Sequence, residues 1–226
     1  MPETVFSENQ RVIRVHPDHP SPTAIQRAAD LIKTRGVVIF PTQCLYGLAA
    51  DALDSRAIKK IFHIKHRPEN NPLLVLIHHY NDLAQITAKI PESAQVLMKT
   101  FWPGSLTLIF EAAPGVCDLL TAGTGKIGVR IPAHPVARAL VKAAGRPITG
   151  TSANISGSPG CSHIKDLPRH LIHAVDMVLD AGPLKGGPGS TILDITRDTP
   201  RILRQGAVPV DAIRQVLGNS RPGGKK

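Results

Sequence analysis

Short, unbroken apolar runs alternate along this chain with segments whose apolar residues recur at helical spacing. The clearest runs are VVIF (37–40), LLVLI (73–77), SLTLIF (105–110), IGVRI (127–131) and VDMVLD (175–180). Strands that are apolar along their whole length are typical of sheets covered on both faces, and helices between the strands supply that cover. The alternation therefore predicts one α/β domain with a mixed sheet and surrounding helices.

Capping residues mark the ends of the predicted helices. Ser21 and Pro22 open the first helix, because serine caps free N–H groups and proline fits the first turn, and Gly36 ends it. Asp54 or Ser55 caps the second helix, which a proline at 68 ends. A loop through Gly47 precedes that helix. Further helices are expected near 92–101, at 134–144 and at about 209–217. Further strands are expected at 147–152, 190–195 and 201–204.

The composition is that of an ordinary globular protein. Of the 226 residues, 42% are hydrophobic and 19% are charged, and no apolar stretch approaches the roughly 18 residues of a membrane helix. The first residues have the character of neither a signal peptide nor a transit peptide. Cys44, Cys117 and Cys161 are odd in number and far apart, which favours a reducing compartment. We therefore expect a cytoplasmic protein without a membrane segment, and the histidines form no pattern that predicts a metal site.

Basic residues outnumber acidic ones in this chain. Lysine and arginine number 27 against 17 aspartates and glutamates, a formal net charge of +10. A positive field of this kind attracts nucleic acids, nucleotides and phosphorylated substrates, but the same excess also serves solubility. Net charge alone leaves these two interpretations open.

One segment, GTGKIG (123–128), has the spacing of a dinucleotide-binding loop but the wrong context. Such a loop must follow a strand and open a helix, so that the helix N-terminus holds the pyrophosphate, whereas this one precedes the strand IGVRI. It also fails as a P-loop, because Leu120 replaces the first glycine and Ile127 replaces the Ser or Thr that binds magnesium. Any nucleotide must be bound by another arrangement.

Two cations lie where the second helix ends. Lys65 and Arg67 are two residues apart and directly precede a proline. A lysine point charge beside a planar arginine fork suits a triphosphate, so we expect both side chains to turn towards one anion. The alternative is a simple favourable interaction with the helix dipole.

Other polar residues interrupt or end predicted strands. Arg130 stands in the apolar strand IGVRI, where a charge needs a partner or a cavity; a structural ion pair is the alternative. Ser152 and Asn154 enter a glycine-bearing loop, where hydroxyl and amide groups can bind a phosphate or a purine, or form an ordinary turn. Ser190 and Arg204 lie at further strand ends. Ligands of α/β folds bind at such positions, so we expect these side chains to meet in one hollow.

Taken together, segments of this sequence resemble the YrdC/Sua5/TsaC family in order and spacing, over about residues 14–217. The length is similar to that of the short, single-domain bacterial form, so we expect a single YrdC-like domain at 14–217 with flexible ends at 1–13 and 218–226. The segments are FPTQCLYGLAADA (40–52), KHRPENNPLLV (65–75), WPGSLTLIF (102–110), GVRIPAHP (128–135), TSANISG (151–157), STILDI (190–195) and ILRQGAV (202–208).

The resemblance implies a twisted mixed sheet around a large basic concave cavity. It also implies an L-threonylcarbamoyladenylate synthase, which combines L-threonine, bicarbonate and ATP with Mg²⁺ and releases pyrophosphate. Partner proteins of the TsaD, TsaB and TsaE type then transfer the group to adenosine 37 of tRNA. The activating chemistry is expected to be electrostatic, without a covalent nucleophile.

Site residues follow from the resemblance position by position. The catalytic and ATP-binding set is expected to be Lys65, Arg67, Ser152 and Asn154, with Asn71 and Arg204 as further nucleotide contacts. Arg130 and Ser190 occupy positions that hold threonine, the arginine through the carboxylate. To these we add Lys126, from its charge alone, on the phosphate side.

The chain departs from the family pattern at Cys44, which replaces a threonine that helps to hold the amino acid. This departure bears on amino-acid selectivity and does not affect the residues that are expected to bind ATP. Two alternatives remain at this point: a paralogue without threonine-specific activity, and a tRNA- or double-stranded RNA-binding protein of the same fold. The second is disfavoured because the chain has only eight aromatic residues, counted as Trp, Tyr and Phe, and stacking on aromatic side chains is the usual mode of single-strand recognition.

Overall fold

Two mixed β-sheets form the framework of residues 11–219, the part of the chain that this computed structural model describes. In chain order the strands are β1 (Val12–Arg14), β2 (Val38–Pro41), β3 (Tyr46–Ala49), β4 (Leu74–Leu76), β5 (Leu106–Glu111), β6 (Lys126–Arg130), β7 (Ile148–Thr149), β8 (Thr151–Ser152), β9 (Met177–Asp180), β10 (Thr191–Asp194) and β11 (Arg201–Arg204). The α-helices are α1 (Pro22–Lys33), α2 (Ser55–Lys65), α3 (Glu92–Phe101), α4 (Asp118–Thr121), α5 (Pro135–Ala144), α6 (Arg169–His173) and α7 (Val210–Asn219).

The strands divide between a five-stranded and a six-stranded sheet. The first has the order β1-β9-β2-β3-β8 and the second β11-β10-β5-β6-β4-β7. Both mix parallel pairs, such as β2 with β9 and β4 with β6, with antiparallel pairs such as β2 with β3 and β5 with β6. The predicted α/β class is confirmed, but the strands belong to two mixed sheets rather than one.

Gly150 is the point at which the chain passes from one sheet to the other. Residues 147–152 were expected to form one strand, but β7 pairs with β4 in the second sheet and β8 pairs with β3 in the first. The Gly150 N–H donates to the Leu74 oxygen at 2.7 Å. A Cβ atom at position 150 would lie 2.7 Å from Cγ of Leu76, so packing restricts this position to glycine.

The caps that were read from the sequence form as expected in α1 and α2. The Ser21 hydroxyl accepts from the N–H of Ala24, and the Asp54 carboxylate accepts from the first N–H groups of α2. At the other end of α2, His66 adopts a left-handed conformation that turns the chain out of the helix. Helices α1 and α5 pack together against one face of the five-stranded sheet and enclose a second hydrophobic cluster there.

Two strands escaped the sequence analysis. Strand β3 was read as a loop through Gly47, although its side chains are fully buried. Strand β1 pairs in parallel with β9 from Val12 onwards, so the ordered fold starts before the expected boundary at residue 14. Of the ends that were expected to be flexible, 1–10 and 220–226 lie outside the described residues, and residues 218 and 219 complete α7.

Within residues 11–219, no helix is long and apolar enough to cross a bilayer. The same part of the chain contains no group of His, Cys, Asp or Glu side chains arranged to hold a metal ion.

Candidate functional site

A cavity of about 390 Å³ is lined by residues of both sheets. The β2–β3 loop, β3 and β8 contribute from the five-stranded sheet, and β4, β5, β6, β10 and β11 contribute from the six-stranded one. Its volume lies in the range of roughly 300–1,000 Å³ that is typical of small-molecule sites. The cavity can therefore admit a substrate of nucleotide size.

The cavity has a one-sided charge. Its lining includes the guanidinium groups of Arg67, Arg130 and Arg204, and among the described residues that line it there is no Asp or Glu. Because low-dielectric walls strengthen the field of charges inside a cleft, three such cations attract an anionic ligand strongly. The expected basic hollow is present.

Arg130 is a buried cation with no counter-ion among the residues that the structure describes. It is the last residue of β6 and is only 8% exposed, and its Nε has no hydrogen-bond partner within residues 11–219. Burial, together with the charge of Arg204, lowers the pKa of Arg130 to about 10, although Cys44 opposes this shift. A buried charge is costly unless it is paired, so this guanidinium is arranged to receive an anion from outside the chain.

Lys65 does not face the cavity. It is 1% exposed, and its Nζ donates to the main-chain oxygens of Ser152 and Asn154 and to the side-chain oxygen of Asn154. An ammonium group has three donors, so these acceptors use all of them. The expectation that Lys65 and Arg67 turn towards one anion is therefore wrong for Lys65, which lies behind the wall and binds the loop that forms it.

The pKa of Lys65 is lowered to about 7, first by burial and then by the charge of Arg67. The three oxygen acceptors hold the protonated form, since hydrogen bonds to a charged group favour that charge. Near neutral pH the hydrogen bonds to the Ser152–Asn154 segment thus depend on a proton that Lys65 can lose.

Arg67 does line the cavity, because the left-handed His66 carries the chain out of α2. Its Nε donates to the Asn71 oxygen at 3.0 Å and its Nη2 to the Pro72 oxygen at 2.8 Å. These bonds fix the plane of the guanidinium fork. Asn71, expected to contact the nucleotide, is exposed and outside the lining; it acts on Arg67 through its main-chain carbonyl.

Ser152 and Asn154 form one hydrogen-bonded unit. The Ser152 hydroxyl donates to the Asn154 side-chain oxygen, and the Asn154 amide donates to the oxygens of Ile155 and Ser158. Ser152 lines the cavity, whereas Asn154 is buried beneath it and faces an adjoining depression. Of the two residues, Ser152 is therefore the one that can contact a ligand in the cavity.

Ser190 and Arg204 are joined across the β10–β11 end of the cavity. Arg204 donates from Nε and Nη2 to the Ser190 oxygen, at 3.2 and 2.8 Å, and the Ser190 hydroxyl lies 2.8 Å from that of Thr107. Thr107 was missed by the sequence analysis. A polar residue in the middle of the apolar run SLTLIF was the signal that could have found it.

The β2–β3 loop forms part of the cavity lining. It carries Cys44, whose oxygen accepts from the N–H of Gly186 at 3.0 Å, and Gln43, whose side-chain oxygen accepts from the Ser105 hydroxyl at 2.6 Å. Gln43 and Ser105 were not among the expected site residues, since nothing local in the sequence relates positions so far apart. Both line the cavity and hold the loop in place.

Comparison with known proteins identifies the family of this chain. The family model Sua5_yciO_yrdC, described as "Telomere recombination", matches residues 30–206. This chain belongs to the Sua5/YciO/YrdC family. The expected family membership is confirmed.

Relatives within the Sua5/YciO/YrdC family are similar over most of this chain. The threonylcarbamoyl-AMP synthase of Pyrococcus abyssi is 39% identical, over 87% of this chain and 58% of its own length. That of Bacillus subtilis is 40% identical, over 86% of this chain and 56% of its own. The chain thus spans somewhat more than half the length of these relatives.

The fold agrees with a solved member of the Sua5/YciO/YrdC family. The crystal structure of P. abyssi Sua5 complexed with L-threonine superposes with a TM-score of 0.86 at 37% identity. The match covers 92% of this chain and 61% of the other. The two-sheet arrangement is therefore that of the family.

Lys126 is a further expected site residue of this Sua5/YciO/YrdC chain that lies outside the cavity lining. Its Nζ lies 2.9 Å from the Asp194 carboxylate and 2.6 Å from the Thr196 hydroxyl, and it is not part of the lining. It begins β6, whereas Arg130 ends it, so four residues of extended strand, about 13 Å, separate them. With its charge neutralised by Asp194, Lys126 is withdrawn from the candidate set.

Proposed function

We propose that this protein is an L-threonylcarbamoyladenylate synthase. It converts L-threonine, bicarbonate and ATP into threonylcarbamoyl-AMP, pyrophosphate and water, the first step of the tRNA modification that yields threonylcarbamoyladenosine. Membership of the family and the names of its relatives support the proposal. A cytoplasmic location, and a single YrdC-like domain over about residues 14–217, belong to the same proposal.

The observation that carries the proposal is the buried guanidinium of Arg130, whose Nε has no hydrogen-bond partner within residues 11–219. A carboxylate matches its planar fork and supplies the missing negative charge. The α-carboxylate of threonine is such a group, and Ser190 and Cys44 line the same cavity. Arg130 therefore holds the amino acid by its carboxylate and leaves its amino group free to react.

The nucleotide occupies the other part of the cavity in this proposal. Arg67, held by two main-chain carbonyls, and Arg204, held by Ser190, are two preorganised cations for the phosphates. The Ser152 hydroxyl adds a neutral donor at the wall. Lys65 and Asn154 lie outside the cavity lining and contribute by fixing the position of Ser152 and its neighbours.

The reaction needs no covalent enzyme intermediate. The threonine amino group combines with bicarbonate to a carbamate with loss of water, and a carbamate oxygen then attacks the α-phosphorus as pyrophosphate leaves. Negative charge grows on the phosphate oxygens during this attack. Arginines that are already oriented stabilise that charge without reorganisation, and this is the main catalytic contribution that we assign to the chain.

Mg²⁺ enters the proposal as the companion of ATP. Magnesium prefers carboxylate, phosphate and water oxygens, and the described lining offers no carboxylate. The residues present therefore do not form a resident magnesium site, and a metal ion would be held by the triphosphate and water. No step is assigned to a protein-bound ion.

The product requires partners, which we propose to be tRNA-modifying proteins of the TsaD, TsaB and TsaE type. An adenylate is a mixed anhydride that water hydrolyses, so a protein that takes it over directly conserves it. Direct contact with tRNA or double-stranded RNA, favoured by the net charge of +10, is a secondary part of the proposal.

A reconstituted reaction tests the proposed function. Purified protein is mixed with Mg-ATP, bicarbonate and L-threonine, and pyrophosphate and the adenylate are quantified. We expect pyrophosphate release that requires all three substrates and is lost in Arg67→Ala. Turnover that is independent of threonine, or RNA binding with a steep salt dependence and no turnover, would contradict the proposal.

A further inference from the structure

Cys44 is a free thiol that faces the cavity. It lies in the β2–β3 loop, is partly exposed and lines the cavity together with Arg130. The loop is held on two sides, by the bond from Gly186 to the Cys44 oxygen and by that from Ser105 to Gln43. The loop that carries the thiol is therefore fixed at the cavity.

The surroundings of this thiol are positively charged. Arg130 is more than nine-tenths buried, lacks a partner at Nε among the described residues, and is itself part of the lining. Cys44 acts on the pKa of this guanidinium in the upward direction, although burial and the charge of Arg204 together have the larger effect and lower it. A nearby cation stabilises a thiolate, and the thiolate is the reactive form of cysteine.

The other two cysteines provide an internal comparison. The Cys161 thiol donates to the Asp166 oxygen, and burial together with the Asp166 charge raises its pKa. Cys117 packs against the main hydrophobic core at the start of α4. Neither residue lines the cavity that contains Arg130.

We propose that Cys44 is a modification site at which hydrogen peroxide oxidises the thiolate to a sulfenate that Arg130 then binds in place of a substrate carboxylate. The thiolate sulfur attacks one peroxide oxygen, a sulfur–oxygen bond forms, the oxygen–oxygen bond breaks, and hydroxide leaves and takes up a proton to give water. Sulfur loses two electrons and peroxide gains them. A thiol such as dithiothreitol reverses the change, first as a mixed disulfide with release of water and then by exchange.

The consequence for activity rests on the proposed function, but the modification itself does not. A sulfenate oxygen next to Arg130 adds a negative charge where the amino-acid carboxylate is expected. Oxidation should therefore weaken binding of the amino acid more than binding of ATP.

The modification is tested by mapping oxidation in the intact protein without turnover. The full chain is treated with hydrogen peroxide and dimedone, and adducts at the three cysteines are quantified by peptide mass spectrometry. We expect Cys44 to react about tenfold faster than Cys161 or Cys117. Arg130→Gln should abolish this advantage and Arg130→Lys, which keeps the charge, should retain most of it. Equal rates at the three cysteines, or an unchanged Cys44 rate in a folded Arg130→Gln protein, would overturn the proposal.

A second arm connects the modification to activity. Peroxide should reduce threonine-dependent pyrophosphate release, dithiothreitol should restore it, and Cys44→Ser should keep its own untreated activity after peroxide. Inactivation of Cys44→Ser to the same extent as the wild type would refute the regulatory consequence. If the untreated wild type shows no turnover, the proposed function fails, and the dimedone mapping still decides the modification site.

Discussion

The Nζ atom of Lys65 lies 2.7 Å from the main-chain oxygen of Asn154 and 3.0 Å from its side-chain oxygen. Together with its bond to the Ser152 oxygen, this ammonium links the end of α2 to the segment that follows β8, almost ninety residues along the chain. Lys65 is thus a positioning residue for the cavity wall, and its effect on a ligand passes through Ser152 and Asn154.

Replacing Lys65 by methionine should impair the reaction without removing a ligand contact. The carbonyls of Ser152 and Asn154 lose their donors, the wall shifts, and kcat/KM for ATP should fall by about 100-fold, the size of effect that a misplacement of about 1 Å can produce. Lys126→Met, outside the cavity, is the matched control and should retain full activity, although it should lower the free energy of unfolding because the buried Asp194 carboxylate loses its cation. Equal activities of the two variants would exclude the positioning role.

The pH dependence of stability provides a separate test of Lys65. Its pKa of about 7 in the folded protein lies below the ordinary lysine value of 10.5, so between these values the unfolded chain binds more protons than the folded one. By linkage, Lys65 makes the free energy of unfolding rise with pH through that window, and below it the full cost of burying the charge is present. The stability of wild type relative to Lys65→Met should therefore increase from pH 7 to pH 10.5 in urea unfolding; a flat difference would contradict the shift.

ATP binding should weaken with rising pH, whereas the contribution of Lys65 to the free energy of unfolding increases. As pH rises above about 7, Lys65 loses the proton that its hydrogen bonds require, and the Ser152–Asn154 segment is released. We expect the affinity for ATP to decrease as pH rises through this pKa. The ATP affinity of Lys65→Met should be low at every pH and should not show this decrease. Calorimetric titration of ATP at a series of pH values measures both.

Arg130 should matter for the amino acid and not for the nucleotide. Arg130→Gln removes a charge-assisted interaction of about 1.5–3 kcal/mol, so KM for threonine should rise roughly 10–100-fold while KM for ATP stays nearly unchanged. The unliganded variant should be at least as stable as the wild type, because an unpaired buried cation is lost. A clear loss of stability would show instead that Arg130 has a structural partner.

Gly189 tests the placement of Arg204 without changing a charge. A Cβ at this position would lie 3.1 Å from Arg204 Nη2, so Gly189→Ala should displace the guanidinium and weaken ATP binding about five- to tenfold, the worth of one hydrogen bond to a charged group near the lower end of its range. The control is Gly218→Ala in α7, where a Cβ would have no neighbour within 4 Å. This control should stabilise the helix by about 0.5–1 kcal/mol and leave ATP affinity unchanged.

Local structure was determined by the sequence alone wherever its cause is local. The Ser21 and Asp54 caps act within a few residues of themselves, and the buried strands are visible as apolar runs, so helices, strands and the α/β class followed from pattern. The ordered family segments were likewise visible without coordinates. They indicated which positions deserve comparison, although not which atoms meet.

Pairings between distant residues were decided only by the tertiary structure. Strand β3 has a glycine and no distinctive period, and it is a strand because β2 and β8 bind both of its edges. Lys65 and Lys126 are equally basic in the sequence, yet one ends up against carbonyls of a loop and the other against Asp194. The free energy of a buried charge depends on the groups that the fold brings to it, and those lie tens of residues away. Sequence pattern therefore identified the cations, and packing determined which of them face the cavity.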